Sequence, residues 1–259
     1  MNPNASYVLL RAQIRKRIAL LKRYPFNTVS QIATIYVFFL IIFFAGNAFS
    51  QFAITDHLEG IIVGYFYWTM AVGAYQSYTG SLIDEAQWGT LEQLFMSRYS
   101  FGAINATIIV VFILETFVWG GIILVLMVLT TGVTLHIDLL TIVPILVLSL
   151  SGPIAISLIL GGLALLFKRV ENIFTIVQFL FVGLVAAPVD SFPWLKWLPI
   201  SLGSALLQRS MEGGYRLYEL PAADLALLVG QSIAFLAIGY AIFIALLNRA
   251  RKKGVMGHY

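Results

Sequence analysis

The sequence predicts an all-α polytopic membrane protein: six transmembrane helices, an N-terminal amphipathic interfacial helix, and both termini in the cytoplasm. Three observations lead there. Of 259 residues 60% are hydrophobic and 11% charged, with mean hydropathy +0.90, whereas soluble chains run nearer half apolar and a quarter charged. Apolar runs recur from Val29 to Leu247, each near the ~20 residues a helix needs to cross a bilayer. The basic residues cluster beside alternate ends of these runs, the pattern that sets orientation.

The elements follow in chain order. Residues 6–24 place Leu10, Ile14, Ile18 and Leu21 at helical spacing, leaving Arg11, Arg15, Lys16, Lys22 and Arg23 to face lipid phosphates. This is the pattern of a helix lying in the membrane interface; a basic tail that merely obeys the positive-inside rule is the alternative. Pro25 ends that element, so the first span starts afresh behind it. The first apolar run begins only near residue 29 and is long enough to stay in the bilayer, so a retained N-terminus is expected rather than a cleaved signal. The six spans are 29–49, 58–80, 101–131, 139–167, 171–189 and 224–247. The third and fourth are long enough to require tilt or extension beyond the hydrocarbon.

With the N-terminus inside, the cytoplasmic segments 1–27, 81–99, 168–170 and 248–259 hold 13 of the 16 basic residues. External segments 50–57 and 132–138 hold none, and 190–223 holds Lys196, Arg209 and Arg216. In the last external segment and just before it, Pro188, Pro193, Trp194, Trp197, Pro199 and Pro221 predict short helices or re-entrant turns with indoles at headgroup level. No repeat or linker divides the chain, so 1–259 reads as a single transmembrane domain.

Much chemistry is absent from the sequence. There is no cysteine, which removes disulfides, thiolate metal sites and thiol nucleophiles. No Gly-Lys dipeptide occurs, so there is no Walker-type phosphate loop and the chain is not expected to be an enzyme. His57, His136 and His258 fall in two external loops and the tail with no HExxH pattern, and no metal site is expected. The pI near 9.3 comes from residues flanking the spans, so the anticipated partner is an anionic lipid bilayer and not nucleic acid.

The most informative stretch is Ser81–Ser100, SLIDEAQWGTLEQLFMSRYS, the sizeable cytoplasmic loop between spans. Thr90 and Gln93 have capping-box spacing, which predicts two short helices about a turn at Gly89. Asp84, Glu85 and Glu92 are interleaved with Leu82, Ile83, Trp88, Leu91, Leu94 and Phe95. Such apolar groups are costly to leave in water with nothing to pack on, so the loop reads as a docking surface.

Glu85 followed by Gly89-Thr90-Leu91-Glu92-Gln93-Leu94 resembles the signature loop of ABC-2 type transporter permeases, the transmembrane subunits of ABC exporters. The basic interfacial helix, the six spans and the Pro/Trp segment before the last span extend the resemblance over nearly the whole chain. Where members often carry a proline shortly after the motif, this chain has Met96-Ser97-Arg98-Tyr99. The resemblance implies that 81–98 is a cytoplasmic coupling element contacting a separate nucleotide-binding ATPase subunit, with Glu85, Gly89, Thr90, Leu91, Glu92 and Leu94 as coupling residues. It implies a homodimer, or a dimer with a related permease, in the plasma membrane. This chain would carry no cofactor, ATP and Mg being bound by the partner subunit. The turn Lys168-Arg169-Val170-Glu171 is a candidate second contact or an ordinary positive-inside loop.

Within the spans, Glu115 is the notable charge and a candidate pathway residue, since an intramembrane carboxylate is expensive. Asn105, Gln178 and Gln231 read as glue between helices. Tyr65, Phe66, Tyr67, Trp68, Tyr75 and Tyr78 read as packing residues in preference to a path lining, and Gly60 and Gly64 have the G-x-x-x-G spacing of close helix approach. The expected function is thus the pathway-forming permease subunit of an ATP-driven exporter. Two alternatives remain: an ion-gradient-driven secondary transporter with Glu115 as the ion site, and a non-transporting membrane assembly or anchoring protein. No residue selects among drugs, lipids, glycans and peptides as cargo.

Overall fold

The computed structural model describes residues 3–50, 58–167 and 171–252, and every regular element among them is helical. In order these are α1 (Pro3–Arg23), α2 (Pro25–Ser50), α3 (Leu58–Gln87), α4 (Leu91–Phe95), α5 (Phe101–Thr131), α6 (Leu139–Ser149), α7 (Ser151–Phe167), α8 (Glu171–Val185), a 3-10 turn (Pro193–Trp197), α9 (Ser201–Met211) and α10 (Ala222–Lys252).

The boundaries have local causes. Ser100 caps α5, its hydroxyl accepting from the Ala103 N–H at 3.3 Å. Gly132, at φ 68°, closes the other end in the left-handed region that glycine enters without a side-chain clash. Asp138 caps α6 by accepting from the Leu140 N–H at 3.1 Å and the Thr141 hydroxyl at 2.7 Å. A break at Leu150, three residues before Pro153, separates α6 from α7, and together they make one run over 139–167.

Among the described residues four helical runs are long and apolar enough to cross a membrane: Pro25–Ala45 of α2, α5, Leu139–Phe167 and α10. The expected spans at 58–80 and 171–189 are not among them, for different reasons. α8 has only 15 residues, short of the ~20 a crossing needs. α3 has 30 residues but dilutes its apolar run with tyrosines, Gln76, Ser77 and Thr79. Its position explains that composition: α3 is the central helix, packed against α2, α5, α7, α8 and α9. A helix surrounded by protein can carry polar groups if neighbours satisfy them. The Tyr65 hydroxyl donates to the Ile35 carbonyl at 2.5 Å and that of Tyr75 to Phe174 at 2.5 Å. The Ser157 hydroxyl on α7 donates to the Tyr75 carbonyl at 2.6 Å.

Small residues bring α7 and α10 together. A Cβ on Gly239 would stand 2.7 Å from Cα of Ala155, and one on Gly162 would stand 2.9 Å from the Leu246 side chain. Such backbone proximity drives association where no hydrophobic effect operates between helices.

The segment between α8 and α10 folds back into the bundle. Leu202, Gly203, Ser204, Leu206 and Leu207 of α9 are buried, and the Ser204 hydroxyl donates to the Val185 carbonyl at 2.7 Å. Trp194 and Trp197 stay exposed, as amphipathic rings at a headgroup boundary would. Lys196 meets Asp224 at 2.7 Å, and Arg209 reaches Asp190 at 2.5 Å and Asp224 at 3.4 Å. The Gln231 amide donates to the Lys196 carbonyl, fixing the segment to α10.

Candidate functional site

The site begins with the face that α1 turns inward. Leu9, Leu10, Gln13, Ile14, Arg17, Leu20 and Leu21 are buried or half-buried, and Ile18 is exposed. The stripe therefore lies slightly to one side of the Leu10-Ile14-Ile18-Leu21 face expected from sequence, and it includes Arg17. Arg11, Arg15, Lys22 and Arg23 remain exposed as anticipated, while Lys16 turns to an acid of α3.

Arg17 is the residue that sequence reasoning missed. Its guanidinium grips Glu115 of α5 with two bonds, Nε to Oε2 at 2.6 Å and Nη2 to Oε1 at 2.8 Å. It also sits over the Phe112 ring, 5.2 Å from the centroid. The Trp119 indole N–H, one helical turn beyond Glu115, donates to Oε1 at 3.0 Å. Bidentate, charge-assisted geometry of this kind is the strongest arrangement of such a pair. The signal was present in the sequence: 10, 14, 17 and 21 share one helical face, and a cation on an apolar stripe needs an acid opposite it.

Beside this pair, Lys16 bonds to Glu85 near the end of α3. Glu85 is only 4% exposed and also accepts from the Thr90 hydroxyl, while the Thr90 N–H donates to the Glu85 carbonyl at 3.0 Å. These bonds correct the expected capping box. Thr90 does precede α4, but its hydroxyl makes no cap bond to that helix because the Glu85 carboxylate takes it. They also correct the two short helices about Gly89, for the first is the continuous end of α3 and α4 alone is short. Gly89 makes the turn at φ 69°.

The candidate coupling residues thus divide. Glu85 and Leu91 point inward, Thr90 and Leu94 are half-buried, and Trp88, Gly89, Glu92 and Gln93 form the exposed tip. Leu94 and Phe95 pack against the core, and Phe95 stacks on Phe101 at 4.0 Å between centroids, with Arg251 over its face at 4.3 Å. These contacts fix the knob formed by the end of α3, the Gly89 turn and α4 to α5 and α10.

Between α1, α2, α3 and α5 lies a cleft of about 320 Å³, adjoined by a second of about 260 Å³ that shares Arg17, Leu20, Gln31, Ser77, Asp84 and Trp88 with it. Asp84 lines both and has no ion-pair partner among the described residues. Burial first, then the Glu85 carboxylate, push its carboxyl above the usual carboxylate range against the pull of Arg17 and Lys16.

The other candidates fall elsewhere. Tyr67, Tyr75 and Tyr78 are buried in the core, the packing role that sequence favoured. Gln178 receives the Trp68 indole N–H on its carbonyl at 3.2 Å and approaches the Gln76 amide at 3.4 Å. Asn105 is buried in α5. A Cβ on Gly64 would meet Val185 of α8 at 3.4 Å. His136 donates its backbone N–H to Met211 at 2.9 Å. No metal-holding group of His, Cys, Asp and Glu occurs among the described residues. His57, His258, the 168–170 turn and the Glu171 side chain lie outside the described residues. No protein-family model matches the sequence, and no curated protein matches it.

Proposed function

We propose that this chain is the membrane-spanning permease subunit of an ATP-driven ABC-2 type exporter in the plasma membrane. It works as a dimer with a second copy or a related permease, and couples to separate ATPase subunits that bind ATP and Mg. In this reading α2, α3, α5, α6–α7, α8 and α10 are the six crossings, α3 being enclosed by its neighbours and the fifth being α8 together with the residues that follow it to 189, and both termini are cytoplasmic.

The observation that carries the proposal is the knob at the end of α3. It combines the signature residues with a shape suited to docking: a Gly89 turn, an interior tied by Lys16, Glu85 and Thr90, and an exposed tip of Trp88, Glu92 and Gln93. A force applied to that tip passes directly into α3, the central helix. Gradient-driven transport with Glu115 as the ion site is less well supported, because Arg17 and Trp119 already occupy both carboxylate oxygens.

The test is affinity purification of the tagged chain from mild detergent, with identification of co-eluting proteins and an ATPase assay. The expected result is a stoichiometric P-loop ATPase that is lost or silenced by Glu92→Lys, which reverses the charge of the tip without touching the buried ties. Absence of any ATPase across several detergents, with gradient-driven flux by the chain alone in liposomes, would overturn the proposal.

A further inference from the structure

We propose that the cleft between α1, α2, α3 and α5 is a binding site for an amphiphilic organic cation, with Asp84 as its counter-charge and Trp88 and Trp119 as its aromatic walls. The inference deepens the exporter reading by naming the chemical class of its cargo.

Three features of the cleft select this ligand. Its volume of about 320 Å³ lies at the lower end of the ~300–1,000 Å³ typical of small-molecule sites. Its lining pairs apolar side chains, among them Leu20, Ile32, Met70 and Ile123, with the two indoles. Apolar surface holds the body of an amphiphile, and indole faces attract a cation that lies within reach.

The charges then decide the sign. Lys16 is taken by Glu85 and Arg17 by Glu115, so neither cation is left to meet an anionic ligand. Asp84 is the acid in excess. Helix α2, which forms the outer wall, carries no charged residue. Arg23 at the rim rests on the Tyr24 ring, 5.8 Å from its centroid, and is not part of the lining. An anion entering here would face an unpaired carboxylate with no free cation to offset it, whereas a cation would complete the third pair of the cluster.

The probes are tetraphenylphosphonium and tetraphenylborate, which share size and shape and carry opposite charge. Each is titrated by equilibrium binding to the purified full chain in nanodiscs, with empty nanodiscs subtracted. The expected result is saturable, protein-dependent binding of the phosphonium and none of the borate. Asp84→Asn should weaken phosphonium binding at least tenfold and Asp84→Glu should restore most of it. Since Asp84 makes no ion pair, the Asn variant is expected to fold, and a size-exclusion profile matching the parent checks this. Equal or tighter binding of the borate, absent phosphonium binding, or unchanged affinity in a folded Asp84→Asn protein would each overturn the inference. The assay needs no ATPase. Binding without any ATPase partner would sink the exporter reading alone, and an ATPase partner without binding would sink the cation site alone.

Discussion

The grip of Arg17 on Glu115 makes a quantitative claim about how α1 is held. Removing one partner of a fully buried pair costs about 3–5 kcal/mol, and exposed pairs are worth about 0–1 kcal/mol. Here the Glu115 side chain is 12% exposed and that of Arg17 35%, so the two truncations should differ. Arg17→Met strands the more buried carboxylate with only the Trp119 indole, for an expected loss of about 2–3 kcal/mol. Glu115→Gln strands a guanidinium that already reaches water, and the Gln oxygen still accepts from Trp119, for an expected loss of about 1 kcal/mol. In the double variant no unpaired charge remains, so its cost should stay near 1 kcal/mol and depart from additivity by about 2 kcal/mol. At ~2–4 °C per kcal/mol for chains of this size, Arg17→Met should melt roughly 5–10 °C below the parent, and the double variant should recover most of that. Tryptophan-fluorescence melting in one detergent at one scan rate measures all four proteins comparably. Arg17→Met melting within a degree of the parent, or strictly additive losses, would refute the claim that the pair anchors α1 to α5.

Two glycines offer further probes, one of packing and one of the knob. A Cβ on Gly203 would lie 2.3 Å from Cβ of Ser149 and 2.7 Å from Oη of Tyr67. Gly203→Ala should therefore cost the ~1–3 kcal/mol of an overpacked core, and Ser149→Gly added to it should recover part of the lost melting temperature. Gly89 sits at φ 69° with open space around it, so only backbone strain opposes a side chain there. Gly89→Ala should cost about 1 kcal/mol and Gly89→Asn less, because Asn tolerates the left-handed region; equal melting of the two would argue against a strained turn.

The parts of the fold legible in the sequence are those where lipid or water dictates composition residue by residue. α2, α5 and α10 face outward along much of their length, so their apolar runs stand out, and the largely buried 139–167 run stands out because nearly all of its side chains that meet other helices are apolar or small. The Pro/Trp segment was legible as a run of short elements because its prolines interrupt any long helix there. What was not legible arises where protein replaces solvent. α3 carries tyrosines and small polar residues because its hydrogen bonds end on neighbouring helices, and no pattern within 58–87 states which neighbours those are. The Thr90 capping box failed for the same reason: a local spacing rule lost to a carboxylate five residues away that burial had turned inward.

The pairing of α1 changes what the signature residues are expected to do. From sequence alone, Glu85 and Glu92 looked equivalent, two acids offered to basic groups on another subunit. The fold separates them, because Glu85 is enclosed by Lys16 and Thr90 whereas Glu92 is exposed. Glu85 therefore holds the knob's shape and ties it to α1, whereas Glu92 stays on the surface, so in the proposed exporter it is Glu92 that would meet the partner subunit. This division has a mechanical corollary. Lys16 and Arg17 are adjacent on α1, one bonded to the end of α3 and the other to α5. Any displacement of the knob relative to α5 must strain one of these two bonds or carry α1 with it. Lys16 and Arg17 thus clamp two core helices to α1, and Asp84, on the same turn as Glu85, lines the cleft beside that clamp, so the cleft's counter-charge moves with whatever moves the end of α3.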